Sequence, residues 1–167
     1  AIRNKDYRKA KKLLESAAVM KEQPEVFNNL GIVYQNEGNN TQAQNMYSKA
    51  SIKKEAKYNL GMLLLQQGED NKAIPYLKAM HDVNLAYAQL MANDNRAALQ
   101  TFKSLNLTTG YEYYLMAVAA ARLKDTQTMA DALQKAIQLD PQMKEKAQMD
   151  REFYPYAQDT IYMNIVD

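Results

Sequence analysis

The stretch FNNLGIVY (residues 27–34) has a near copy, KYNLGMLL (residues 57–64), and this repetition is the strongest indication of the fold. Both contain Asn-Leu-Gly at the same place, and each is followed by a further glycine, Gly38 after the first and Gly68 after the second. Glycine accepts the left-handed backbone conformation that a turn after a helix requires. The two copies therefore predict two equivalent helices, each followed by a turn and a second helix.

Weaker copies of the same unit extend the pattern in both directions. One contains residues 84–86 with a turn at 93–94, and another contains residues 113–117 with a turn at 124–125. Residues 5–10 indicate a turn and the second helix of a repeat whose first helix is missing. Because self-similarity at a period of about 20–50 residues is typical of repeat architectures, we expect a tandem array of helix pairs.

Small residues recur where the two helices of each pair would meet. Helix axes approach to about 8 Å only where the contacting side chains are small. We expect such close contacts at Gly31 and Gly61, with Tyr47 and Leu77 on the second helices filling the space beside them.

Composition excludes several classes of protein. The 167 residues include 5 Gly and 4 Pro, too few for the many turns of a β-sandwich. The net charge of +2 is too small to imply a nucleic-acid or anionic-membrane partner. With no cysteine and the single histidine His81, the sequence offers no thiolate nucleophile and no multi-histidine metal site. Motifs for phosphate loops, serine hydrolases and zinc proteases are missing, so we expect no enzyme, no metal and no cofactor.

The repeated order is an aromatic residue, a Leu-Gly pair, a tyrosine, a turn, an alanine, an aromatic residue or leucine, a second alanine and a proline. This spacing resembles that of the tetratricopeptide repeat (TPR) family. The best copy comprises Phe27, Leu30, Gly31, Tyr34, Ala43, Tyr47 and Ala50. The resemblance implies an all-α fold, a TPR-like right-handed α-solenoid of about ten helices arranged as antiparallel pairs. We expect the solenoid over residues 1–151, with a shortened repeat near 80–105 and a polar capping helix from Gln142 to about Arg151. Residues 152–167 do not fit the repeat and are expected to be an extended tail or the beginning of another domain.

The resemblance also implies a binding surface, because the first helices of TPR pairs line a concave groove. The sixth residue of each repeat faces this groove, and here it is Asn29, Asn59 and Asn84. Carboxamides both donate and accept hydrogen bonds and so suit an extended peptide backbone, although they also suit bonds between neighbouring helices. The same count places four tyrosines in the groove, where they are either ligand contacts or packing residues: Tyr58, Tyr87, Tyr111 and Tyr114. Three others are assigned to the core: Tyr34, Tyr47 and Tyr113.

The function implied is a non-catalytic scaffold that binds a peptide or protein segment in the groove, with weak salt dependence. One TPR subclass binds a C-terminal carboxylate with basic residues at fixed positions. Here Glu25 and Asn84 occupy two of the positions that should be basic, so we do not expect this mode of binding. The alternative is a structural spacer or docking module of a larger bacterial cell-envelope protein with a protein or glycan partner. Residues 84–98 and 146–153 are similar to TPR regions of such proteins, which implies a periplasmic or surface location. No signal peptide is visible, and we expect the sequence to be a mature or trimmed fragment.

Overall fold

The computed structural model describes the backbone of residues 4–21 and 23–166, and side chains from residue 8 onward within these ranges. Every regular element in this part of the chain is helical, with no strand. The α-helices are α1 (Asn4–Met20), α2 (Pro24–Asn36), α3 (Asn40–Lys49), α4 (Lys54–Gln66), α5 (Asp70–Leu77), α6 (Val83–Met91), α7 (Asn95–Ser104), α8 (Gly110–Arg122), α9 (Thr126–Leu139), α10 (Gln142–Met149) and α11 (Thr160–Val166). A 3-10 helix (Arg151–Tyr156) separates α10 from α11. None of these helices is both long and apolar enough to cross a membrane.

The described residues form two compact units, one ending at Met80 and the other beginning at His81. Unit 1 contains α1 to α5, and unit 2 contains α6 to α11 together with the 3-10 helix. The prediction of an all-α chain of helix pairs is confirmed. The predicted turn at residues 5–6 is wrong, because α1 already begins at Asn4.

In unit 1, α2 pairs with α3 and α4 pairs with α5 across tight turns. Gly38 and Gly68 in these turns have φ values of +76° and +73°, the left-handed conformation predicted for them. A side chain is strained in that conformation, which is why glycine stands at both turns.

Close packing within each pair of unit 1 depends on a glycine in the first helix. A methyl group added to Gly31 would lie 2.4 Å from Cε1 of Tyr47, and one added to Gly61 would lie 2.8 Å from Cδ2 of Leu77. Tyr47 and Leu77 are buried, as expected for residues that fill the space beside the glycines. The predicted contacts are therefore confirmed at both pairs.

Unit 2 contains one short pair and one long pair. Helices α6 and α7 have 9 and 10 residues, whereas α8 and α9 have 13 and 14. The shortened repeat near 80–105 stays a prediction. The turns between the paired helices place Asn93 and Lys124 at φ values of +61° and +60°. The carboxylate of Asp94 accepts a hydrogen bond from the backbone N–H of Ala97 and so caps α7.

The segment after α9 completes the core of unit 2. Helix α10 follows Pro141, as predicted for a capping helix, and ends at Met149. The remaining segment, expected to be extended or part of another domain, is helical over most of its length. It buries Phe153, Tyr162 and Val166 against the aromatic and aliphatic residues of α8 and α9. A domain boundary at residue 151 stays a prediction.

Candidate functional site

Two of the three predicted groove asparagines lie in unit 1. Asn29 is exposed on α2, and Asn59 is half-buried on α4. The Nδ2 group of Asn59 donates a hydrogen bond to Oδ1 of Asn28, at a distance of 3.0 Å. The bond between the two first helices therefore uses the residue before Asn29, and it leaves Asn29 at the surface.

An ion pair lies beside these carboxamides. Nζ of Lys53, at the N-terminal end of α4, is 2.6 Å from Oε1 of Glu25 in the first turn of α2. This hydrogen bond lowers the pKa of Glu25 and raises the pKa of Lys53. Both side chains are well exposed, so water screens the attraction and the pair adds little to stability.

These groups surround an open concavity of about 370 Å³ on unit 1, and we call it the amide pocket. It is lined by Glu25, Asn28, Asn29, Lys53 and Glu55. The pocket combines two carboxylates, one ammonium and two carboxamides, so it offers hydrogen-bond donors and acceptors side by side. Such a surface is suited to the N–H and C=O groups of an extended peptide.

The other predicted site residues of the first helices have different surroundings. Tyr58 is half-buried on α4, next to Asn59 in the chain. Asn84 lies in unit 2, where its Nδ2 donates to Oδ2 of Asp82, the N-cap residue of α6, at 3.2 Å. Tyr87 packs, partly buried, against the core of unit 2. Asn84 thus bonds within its own helix start, and Tyr87 takes the packing role that the sequence left open.

Tyr111 and Tyr114 were both predicted to face the groove, and the structure separates them. Tyr111 is 48% exposed, and its ring stacks on that of Tyr114 with centroids 6.3 Å apart. Tyr114 is only 2% exposed, and its hydroxyl donates to Oδ2 of Asp150. Its ring also meets the edge of Phe153 at 5.8 Å. The placement of Tyr114 at the surface is therefore wrong, because the segment after α10 covers it.

The three tyrosines assigned to the core are buried to different extents. Tyr47 is 1% exposed, and its burial raises its pKa to about 12. Tyr34 is half-buried and donates its hydroxyl to Oε1 of Glu15 at 3.0 Å, while Tyr113 packs partly buried against the core of unit 2. Only Tyr47 is enclosed completely among these three.

His81 has the one pairing in the described residues that resembles a histidine base with a hydroxyl. Its Nε2 lies 3.0 Å from Oγ of Ser104. The Ser104 hydroxyl donates to the backbone oxygen of Thr101 at 2.7 Å, so its proton is directed at that carbonyl and not at the imidazole. This arrangement links His81 to the last residue of α7 and does not activate a nucleophile. Among the described side chains, no group of three or more His, Asp or Glu is arranged to hold a metal ion.

Asn28, Lys53 and Glu55 line the amide pocket but are not among the site residues that the sequence predicts. The ion pair of Lys53 could have been predicted, because Glu25 and Lys53 lie near the starts of two equivalent helices and carry opposite charges. Lys146, whose Nζ lies 5.1 Å from the ring centroid of Tyr114, had no such signal because the contact joins distant parts of the chain.

Comparison with known proteins agrees with this architecture. The tetratricopeptide repeat family profile matches residues 24–51, 54–79 and 113–143, about half of the chain. A solved structure described as "MamA RS-1 ArsTM double mutant" has a TM-score of 0.71 and 20% sequence identity, covering 86% of this chain and 88% of that one. No curated protein matches the sequence.

The matched segments correspond to α2 and α3, to α4 and α5, and to α8 with α9. The region between the second and third matches contains the short α6–α7 pair, whose helices are too short for the usual repeat. Repeats of this type form scaffolds for binding other proteins and are typically non-catalytic. The chain belongs to the tetratricopeptide repeat family, and its general role is that of a protein-interaction scaffold.

Proposed function

We propose that unit 1 binds an extended peptide segment of a protein partner at the amide pocket. Asn29 would bond the peptide backbone, Asn59 would hold Asn28 in position to do the same, and Tyr58 would contact a side chain. The observation that supports this most is the hydrogen bond between Asn59 and Asn28 beside an open concavity. It orients one carboxamide before any ligand arrives, which reduces the entropy lost on binding.

The chemistry of the pocket favours recognition of a backbone over recognition of one charged group. Glu25 and Lys53 neutralise each other at 2.6 Å, so the charge left in the pocket is that of the exposed Glu55 carboxylate, which water screens. Carboxamides bond N–H and C=O groups equally well, so they tolerate many peptide sequences. We therefore expect binding through unit 1 to change little between low and high salt.

A peptide library selected on the full chain, followed by fluorescence anisotropy of the selected peptides, tests the proposal. The variant with Asn29→Ala and Asn59→Ala is compared with the native chain. The variant loses the hydrogen bonds of Asn29, each contributing about 1 kcal/mol, and the bond that orients Asn28, so we expect binding to be weaker by about tenfold.

The matched control carries Asn45→Ala and Asn71→Ala, which remove two exposed asparagines from second helices. Circular dichroism must show the same helicity for all three proteins. Equal affinity of the native chain and the Asn29/Asn59 variant would show that the amide pocket is not the binding surface.

The cell-envelope location expected from the sequence is also put forward as a proposal. It rests on the similarity of residues 84–98 and 146–153 to envelope proteins. Fractionation of cells of the source organism, with an antibody against this chain, measures the location directly. Recovery in the cytoplasmic fraction alone would contradict it.

A further inference from the structure

A second concavity, of about 480 Å³, lies on unit 2 at the end of α10. It is lined by Lys146, Met149, Asp150 and Arg151. Lys146 and Arg151 are both exposed, and neither belongs to an ion pair found in the described part of the chain. The concavity therefore has two cations at its edge whose charge is not neutralised by a carboxylate contact.

The acidic residue of this concavity is engaged from within the protein. Oδ2 of Asp150 accepts a hydrogen bond from the hydroxyl of Tyr114, and Oδ1 accepts one from the backbone N–H of Glu152 at 3.0 Å. Glu152 itself is held by Arg122, with Nη2 2.5 Å from Oε1. Arg122 neutralises Glu152, whereas Asp150 keeps its negative charge because both of its donors are neutral. Two exposed cations and one carboxylate line the concavity, so the net charge presented to a ligand is positive by one unit.

Apolar groups lie next to these cations. Met149 is 69% exposed, and Tyr111 is 48% exposed. Nζ of Lys146 lies 5.1 Å from the ring centroid of Tyr114, on which the ring of Tyr111 stacks. Lys146, Met149 and Arg151 line the concavity, and the exposed ring of Tyr111 is linked to Lys146 through the Tyr114 ring that both contact. We call these four residues the basic-aromatic surface (Tyr111, Lys146, Met149 and Arg151).

We propose that the basic-aromatic surface binds an acidic segment of a protein partner, one that carries an aromatic or aliphatic side chain between its carboxylates. Lys146 and Arg151 would pair with the carboxylates, and Arg151 can do so through two parallel hydrogen bonds. Tyr111 and Met149 would cover the apolar side chain, since tyrosine is typical of binding hot spots and methionine adapts to varied shapes.

A protein segment fits this surface better than a nucleic acid or a lipid headgroup. Two cations neutralise too few phosphates for stable nucleic-acid binding, which depends on many such contacts. The exposed ring and thioether add apolar area that a phosphate chain would leave uncovered. The inference depends on the proposed function only in taking the partner to be a protein, and it uses none of the residues of unit 1.

Short fluorescein-labelled peptides built from repeats of Glu-Glu-Tyr-Gly are the probes, with Gln or Lys replacing Glu in two matched sets. Binding to the full chain is measured by fluorescence anisotropy. We expect the Glu peptide to bind about tenfold more tightly than the Gln peptide, and the Lys peptide to bind least. Rising salt should lower the affinity of the Glu peptide, because its ion pairs with Lys146 and Arg151 are exposed to solvent.

The variant with Lys146→Gln and Arg151→Gln should lose this tenfold preference. The control variant carries Arg96→Gln and Lys135→Gln, which remove two exposed cations of unit 2 outside the concavity and should retain it. The Asn29→Ala, Asn59→Ala variant should also retain it. A failure of the proposed function in unit 1 is thereby distinguished from a failure here.

Three results would overturn the inference. The first is equal affinity for the Glu and Gln peptides, or no binding tighter than about 1 mM. The second is an equal loss of affinity in the control variant. The third is binding of phosphatidylserine vesicles that depends on Lys146 and Arg151 while the Glu peptide does not bind.

Discussion

The substitution Gly31→Ala tests whether glycine is required where α2 crosses α3. The added methyl group would lie 2.4 Å from Cε1 and 2.5 Å from Cδ1 of Tyr47, distances that nonbonded carbon atoms do not adopt. The Tyr47 ring is 1% exposed, and its hydroxyl donates to Oε1 of Gln35 at 2.7 Å. The ring must therefore move within a packed core, and its hydrogen bond must stretch.

The expected cost follows from three contributions. Overpacking a core by one methyl group costs about 2 kcal/mol, and weakening the bond from Tyr47 to Gln35 costs about 1 kcal/mol. Alanine is a better helix former than glycine, which offsets about 1 kcal/mol. We therefore expect Gly31→Ala to lower the free energy of unfolding by about 2 kcal/mol, although helix propensity alone predicts a gain.

Urea unfolding followed by circular dichroism measures this free energy for the native chain and for Gly31→Ala. The same substitution is then made in a Tyr47→Val background, where the ring is gone and only the helix propensity remains. There we expect Gly31→Ala to be neutral or stabilising by up to about 1 kcal/mol. If Gly31→Ala is neutral in the native background, or equally destabilising in both, the close contact with Tyr47 does not limit the packing of α2 and α3.

Three further predictions concern hydrogen bonds and ionisation. Replacing Tyr114 with Phe should lower the free energy of unfolding by about 1–2 kcal/mol, because Asp150 loses its buried donor; an unchanged urea midpoint would contradict this. Replacing Arg122 with Gln should speed hydrogen exchange of the backbone around Glu152, because its bond at 2.5 Å is lost, whereas exchange at the native rate would show that the pair does not hold the 3-10 helix. Burial raises the pKa of Tyr47 to about 12, against about 10 in the unfolded chain, so its stabilising effect is complete below pH 10 and is lost as pH rises toward 12. Unfolding free energies across that range should fall more steeply for the native chain than for Tyr47→Phe, and parallel curves would refute the assignment.

The helix pairs could be predicted from the sequence because their determinants are local. The glycine turns, the small residues and the repeated Asn-Leu-Gly lie within one repeat of each other, so self-comparison reveals them. A shortened repeat near 80–105 was predicted in the same way, from the reduced spacing between equivalent small residues. Each of these features concerns residues that are close in the chain, where spacing translates directly into helix faces.

The candidate site was predicted only in part. Repeat position placed Asn29 and Asn59 at the same kind of surface, but the bond from Asn59 goes to Asn28. Neighbouring residues on a helix point only about 100° apart, so either asparagine can face a neighbouring helix. The angle and separation of α2 and α4 select between them, and no pattern within one repeat specifies these quantities.

The adjacent residues Tyr113 and Tyr114 differ in burial in a way that the repeat pattern did not predict. The resemblance to the tetratricopeptide repeat family implied a core position for Tyr113 and a groove position for Tyr114, yet Tyr114 is the one enclosed. Its partners Asp150 and Phe153 come from a segment about forty residues later that follows no repeat. The helix pairs and their glycine turns follow from the amino-acid sequence, because backbone conformation and close packing there depend on residue type. Which tyrosine is covered and which cations remain exposed depends on contacts between segments that no local spacing relates, so these features emerge only in the folded chain.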